Sequence, residues 1–307
     1  MTSRPPHARV VFGLRSADVG ALMATVSMSS IQLGLALSVT VLDQLGALGT
    51  AGLRLGWGGL LLLLLVRPKP RDFTGRDLMA CIALGAVTAG MMVFFMLAAT
   101  RLPLGTASAL EFLGPLTVSL CGPGGGRRKL WAAPAAIGVL LLTEPWSGGI
   151  DVLGAGFALT AAACWACYIL LTQRVGDNVT GLSGLALSMP VAGVVGLLVA
   201  APTQLSRVTW QLLALMLGLA ALSVVLPFIL EFLALRRLTT SAFGTLMSLE
   251  PAIALLAGLV VLGQKPGLLP AAGVAFVVIA GIGATRAGAR PASVQAPTDD
   301  HRAPVPQ

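Results

Sequence analysis

The sequence predicts an all-α integral membrane protein: ten transmembrane helices arranged as two inverted five-helix repeats. Composition is the first reason. Of 307 residues, 56% are hydrophobic and only 10% are charged, with a mean hydropathy of +0.89; a soluble domain carries about 25% charged residues. Too few charges remain to cover a water-facing surface. The second reason is run length. A spanning helix needs roughly 20 mostly apolar residues, and ten windows meet or approach that. The third is an internal repeat whose copies enter the membrane from opposite sides.

The windows fall at 17–38, 46–66, 77–99, 104–121, 130–144, 152–173, 180–201, 209–235, 240–262 and 267–286. The fifth is short, and Trp131 and Trp146 flank it as interfacial aromatics do. Transmembrane strands would alternate apolar and polar residues over about ten positions, whereas "LLLLLLV" at 60–66 does not alternate. Residues 1–16 read as a cytoplasmic segment. The first apolar run is full length and lacks a clear small-residue cleavage site, so it reads as a span rather than a signal peptide. Residues 287–307, rich in Pro, Ala and polar residues, are expected to be a disordered cytoplasmic tail.

The net charge of +8 raises the question of nucleic acid, and its distribution answers it. With the N-terminus in the cytoplasm, ten spans place sixteen Lys and Arg residues on the cytoplasmic side and three, Arg101, Arg207 and Lys265, on the outer side. Arg54 lies within a span. This is the positive-inside bias. It predicts a multi-pass membrane protein with both termini cytoplasmic, whose macroscopic partner is the lipid bilayer, and it leaves nothing for nucleic acid to explain.

The repeat is seen by setting "LAATRLPLGTASALEFLGPLTVSLCG" (97–122) against "LALRRLTTSAFGTLMSLEPAIALLAG" (233–258). The offset is 136 residues without a gap, and Arg101/Arg237, Leu102/Leu238, Pro115/Pro251 and Gly122/Gly258 are identical. The same offset pairs Gln32 with Tyr168. Five spans per copy is an odd number, so the copies, 17–147 and 152–286, are inverted. Inverted repeats with interrupted helices near the midplane are a recurring transporter plan.

A charge at the bilayer centre costs roughly 2.5–3.5 kcal/mol on insertion scales, so such residues face a bundle interior or a wet cavity. Glu111 and Glu250 occupy the middles of the fourth and ninth spans, close to Pro115 and Pro251. Each proline removes an amide donor and loosens the helical ladder, freeing carbonyls beside a carboxylate. Two roles fit the acids: cavity-lining groups for an ammonium ion or proton, or protonated hydrogen-bonders between helices. Arg54, roughly 12 Å into the second span at 1.5 Å per residue, has three: a contact for a substrate carboxylate, a partner of Glu111 or Glu250, or a side chain snorkelling outward. Glu231 is expected in an interfacial ion pair with Arg236 or Arg237, or in substrate and proton traffic. Gln32 and Tyr168 either line a pathway or bond helix to helix.

Enzyme chemistry finds no footing. The histidines, His7 and His301, are terminal, so no span offers a His-based metal site or triad, and no cofactor or metal is expected. No GxSxG occurs, and no Asp lies well inside a span. "GPGGGRRK" (122–129) lacks the GK[ST] ending of a phosphate loop. The C-x-x-C of "CWAC" sits inside a helix without a redox context, so its thiols read as packing groups. "GLRLG" (52–56) has GxxxG spacing.

The two copies resemble paired EamA domains of the drug/metabolite transporter superfamily over about 17–286. "SSIQLGLALS" (29–38), "LEFLGPLTVSL" (110–120), "CWACYILLTQRVG" (164–176) and "LPFILEFLALRRLTTSAFGTLMSLEPAIALLAGLVVLGQ" (226–264) resemble the threonine/homoserine exporter branch. The resemblance implies an inner-membrane exporter of small amino acids and related metabolites driven by the proton gradient. Gln264 departs from it, standing where related chains commonly carry an acid. Export of another metabolite, a nucleoside or a drug is the nearest alternative; a membrane scaffold or sensor is the alternative outside transport.

Overall fold

The computed structural model describes residues 16–69, 73–121, 129–144, 151–178, 183–200, 208–235, 237–238 and 240–287. The expectations for the N-terminal segment, for most of "GPGGGRRK" and for the tail beyond Ala287 lie outside these residues. The first copy supplies α1 (Ser16–Val39), α2 (Leu42–Val66), α3 (Gly75–Ala99), α4 (Leu104–Glu111), α5 (Leu113–Cys121) and α6 (Ala132–Thr143). The second supplies α7 (Val152–Asn178), α8 (Ser183–Ala200), α9 (Trp210–Ala220), a π-helical turn (Ala221–Val225), α10 (Leu226–Leu235), α11 (Thr240–Met247), α12 (Glu250–Leu262) and α13 (Leu268–Ala287).

Eight segments are long and apolar enough to cross a membrane, and Ala132–Thr143 and Leu268–Ala284 are shorter apolar helices. Large apolar side chains point away from the bundle: Val260 is 79% exposed and Leu268 91%. In water such a surface would be an aggregation liability; lipid is its solvent. α2 begins at Leu42, earlier than its apolar window, because Gly46 takes φ 65°, ψ 172° and joins a first turn to the rest of the helix across a kink. That backbone geometry is open to glycine and closed to most other residues.

The 136-residue offset reappears in the helix boundaries. Ser16 and Val152, Leu104 and Thr240, and Ala132 and Leu268 all start helices at that spacing. The fourth and ninth spans are also interrupted in register, at Phe112 and at Ser248–Leu249. The prolines do more than loosen a ladder here. Pro251 lies in the first turn of α12, where its missing amide costs nothing, and the carbonyls of Glu111 and Met247 lose the amide donors that Pro115 and Pro251 would otherwise supply.

Most helices of one copy pack chiefly on a helix of the other. The most extensive pairings are α2 with α8, α3 with α7, and α6 with α13; α4 packs on α12, and α1 lies against α10, α12 and the π-helical turn. The glycines of "GLRLG" explain the first of these. A Cβ on Gly52 would stand 2.6 Å from the Gly196 carbonyl oxygen, so α2 and α8 meet backbone to backbone, as small residues permit in membranes. One consequence of the interleaving is that α1 and the two broken spans are brought to the interior together.

Candidate functional site

Both helix breaks converge on Gly281 of α13. A Cβ there would lie 2.7 Å from Ser248 Oγ and 2.8 Å from the Phe112 ring. Phe112 in turn packs edge-on against Trp165 of α7, centroids 6.1 Å apart. Glu111 is the last residue of α4 and Glu250 the first of α12, so the two acids flank equivalent breaks from opposite sides. Their carboxyls are close enough to interact electrostatically. Glu250 is buried, and its Oε1 accepts a 3.0 Å hydrogen bond from Gln32 Nε2 on α1. Glu250 Oε2 and Gln32 Oε1 have no hydrogen-bond partner among the described residues. Unpaired polar atoms in an interior are costly, and here two lie at one contact. Glu111 is half-buried and makes no hydrogen bond to a described residue.

Arg54 is fully buried on α2, which removes the snorkelling role: interleaved helices, not solvent, surround the middle of α2. The pairing with Glu111 or Glu250 is absent as well. Arg54 donates from Nη2 to Ser223 Oγ at 2.8 Å and from Nη1 to Met96 Sδ at 3.9 Å, while Nε has no partner among the described residues. Ser223 sits on the π-helical turn and donates its own proton to the Leu219 carbonyl at 2.6 Å. Such π turns recur at functional sites. Ser30 Oγ on α1 donates to the Leu222 carbonyl of the same turn, and Gly34 abuts Ser223. Helix α1 therefore touches both charged groups, Glu250 through Gln32 and the Arg54 acceptor through Gly34.

Glu231 on α10 accepts from Ser27 Oγ at 2.9 Å and interacts electrostatically with Glu250 and with Tyr168. The expected ion pair with Arg237 is not formed, because the Arg237 guanidinium turns back onto the Leu233 carbonyl and towards Met23 Sδ; Arg236 lies outside the described residues. Tyr168 is half-buried on α7 and packs near Cys81 and Leu84. It does not reach Glu111 as Gln32 reaches Glu250, so the two copies differ here. Cys164 and Cys167 are free thiols.

Sequence reasoning missed Ser27, Ser30 and Ser223. Ser27 and Ser30 lie three apart, with Gly34 four further on, a one-face spacing on α1 that was open to inspection. Two surface cavities lie elsewhere: one of about 40 Å³ beside Pro103, Thr106 and Gln264, and one of about 820 Å³ between α6 and α13 beside Trp131, Ile282 and Arg286. Neither includes the buried acids or Arg54, so the candidate site rests on its unpaired polar groups.

Residues 152–285 match the EamA-like transporter family. The chain is also 35% identical over 267 residues to the threonine/homoserine exporter RhtA of Salmonella typhimurium strain LT2, an alignment covering 86% of this chain and 90% of that one. It is 35% identical over 264 residues to the threonine/homoserine exporter RhtA of Escherichia coli strain K12, covering 85% and 89%. The chain belongs to the EamA-like transporter family. This EamA-like protein is thus a multi-pass membrane transporter rather than an enzyme. A solved structure described as "Crystal structure of protein" shares the fold of the EamA-like chain with a TM-score of 0.60 at 19% identity, covering 89% of this chain and 97% of its own.

Proposed function

We propose that this transporter exports small amino acids or closely related metabolites, of the threonine and homoserine kind, across the inner membrane by proton-coupled alternating access, with both termini in the cytoplasm. The observation that carries the reading is a mismatch of buried charge. Arg54 is buried with no carboxylate in ion-pair distance among the described residues, and Glu250 is buried with one oxygen unpartnered. A buried charge demands a partner. An amino-acid zwitterion brings both: a carboxylate for the planar fork of Arg54 and an ammonium group for Glu250. Gln32, held by one hydrogen bond to Glu250, and Tyr168 would shape the cavity; Glu111 and Glu231 are the further carboxyls through which a proton would pass. The function that the relatives' names carry supports the same substrate class.

Coupling follows from competition. Glu250 holds either a proton or the ammonium group, so an inward proton displaces an outward substrate. The helix breaks keep this exchange next to backbone where Pro251 supplies no amide donor to the Met247 carbonyl. The test is efflux of radiolabelled threonine and homoserine from cells overproducing the chain, against an empty control. No excess efflux of any amino acid tested would remove the reading.

A further inference from the structure

The corner between α3 and α4, residues 100–104, is tied to the second copy twice. Arg101 Nε donates to Asp151 Oδ1 at 2.9 Å and lies 2.9 Å from Oδ2. The same Oδ1 accepts from the Gly154 amide at 2.7 Å, so Asp151 clamps Arg101 while capping the start of α7. Three residues after Arg101, the Leu104 amide donates to Gln264 Oε1 at 2.9 Å. That amide is one of the orphan donors at the N-terminus of α4, and its partner comes from the link between α12 and α13. One short corner is thereby joined to α7 and to the α12–α13 link, both parts of the other copy.

The repeat shows what this arrangement excludes. Shifted by 136 residues, Arg101 corresponds to Arg237, whereas Asp151 corresponds to Arg15 and Gln264 to Arg128. In the sequence, the positions that correspond to the two acceptors carry arginines. An arginine neither clamps Arg237 nor accepts from an amide, so the equivalent clasp cannot form at the Arg237 end from these positions. The clasp at Arg101 is therefore one that the repeat does not duplicate at these positions. The Arg101–Asp151 pair is partly exposed, with side chains 41% and 27% accessible. Exposed pairs are weak, which suits a contact that must break and re-form in every cycle.

From this asymmetry we propose that Arg101, Asp151 and Gln264 form the external gate of the transporter: the clasp that closes the exit and releases when substrate leaves. The proposal rests on the export reading for the direction of travel. In the orientation proposed above, the Arg101 end faces outward. Gln264 of the clasp also lines the cavity of about 40 Å³ together with Pro103 and Thr106, and Thr106 is buried, 7% exposed.

The experiment uses Thr106→Cys in the full chain and measures its rate of reaction with a membrane-impermeant maleimide in intact cells, above the background of the chain without that substitution. The expected result is slow labelling, accelerated several-fold by Arg101→Ala and by Gln264→Leu. Ser188→Cys, buried on α8 near the opposite end, should stay protected in the same variants. Unchanged labelling at position 106 in both single variants overturns the proposal. So does equal acceleration at position 188, which would mean general loosening. The readout needs no substrate, so a failed gate leaves the export reading standing, and a failed efflux assay leaves the gate measurable.

Discussion

Glu250 shares one oxygen with Gln32 and leaves the other without a partner, which makes it the residue on which coupling turns. Glu250→Gln keeps the shape and a hydrogen-bonding amide but cannot change charge. The expected outcome is normal insertion and loss of efflux driven by a proton gradient, checked by efflux at several external pH values beside protein level in the membrane. Wild-type export with unchanged pH dependence would make Glu250 structural. Glu111→Gln should do less damage, since Glu111 is half-buried and bonds to none of the described residues. Arg54 supplies the opposite test. Arg54→Lys preserves the charge and loses the two-point fork, so efflux should fall strongly, by about tenfold if one charge-assisted hydrogen bond of roughly 1.5 kcal/mol is lost. Normal export by Arg54→Gln would place the carboxylate contact elsewhere.

At the level of the helices the question shifts from which group bonds to which segment bends. The two broken spans meet over Gly281, where no Cβ fits without moving Ser248 or Phe112. Gly281→Val should therefore force the breaks apart. Overpacking of this kind costs about 1–3 kcal/mol, and a lower melting temperature in detergent together with reduced efflux is the expected pair of results; unchanged melting would show that the breaks tolerate separation. At the other element junction, Asp151 is held below the usual carboxylate range by the hydrogen bond from Arg101 and then by that from the Gly154 amide. A depressed folded pKa means the clasp contributes above the unfolded value of about 4 and is lost as pH falls through the lower folded value. Labelling of the Thr106→Cys variant should accordingly be indifferent to pH near neutrality and rise only in strong acid.

For the whole molecule, the sixteen-to-three distribution of basic residues and ten spans predict two cytoplasmic termini. A periplasm-active reporter fused after Gln307 should be silent, and one fused near Asp43 active. An active reporter at Gln307 would break the proposed orientation. Interleaving of the copies makes a further point: neither buries its helices alone, because α2 needs α8 and α6 needs α13. Residues 1–147 expressed without the rest should fail to accumulate, and co-expression with 148–307 should rescue them.

The chain's membrane residence, its all-helical class and the 136-residue repeat were legible in the sequence, because they depend on run length and a fixed offset, which are properties of the chain read in order. The acids and prolines at 111, 115, 250 and 251 were legible for the same reason: a charge or a breaker stands out in an apolar run. Partnership was not. Whether Arg54 snorkels or is enclosed depends on which helices surround α2, and the interleaved packing enclosed it against Ser223, 169 positions away. Glu231 met Ser27 instead of Arg237 because α1 lies along α10, and Gln264 met the Leu104 amide because α12 packs on α4. Local sequence sets what a helix is and where it breaks, through propensity and solvent transfer. Contacts between residues hundreds of positions apart are decided by which faces pack, and that free energy belongs to the assembled bundle.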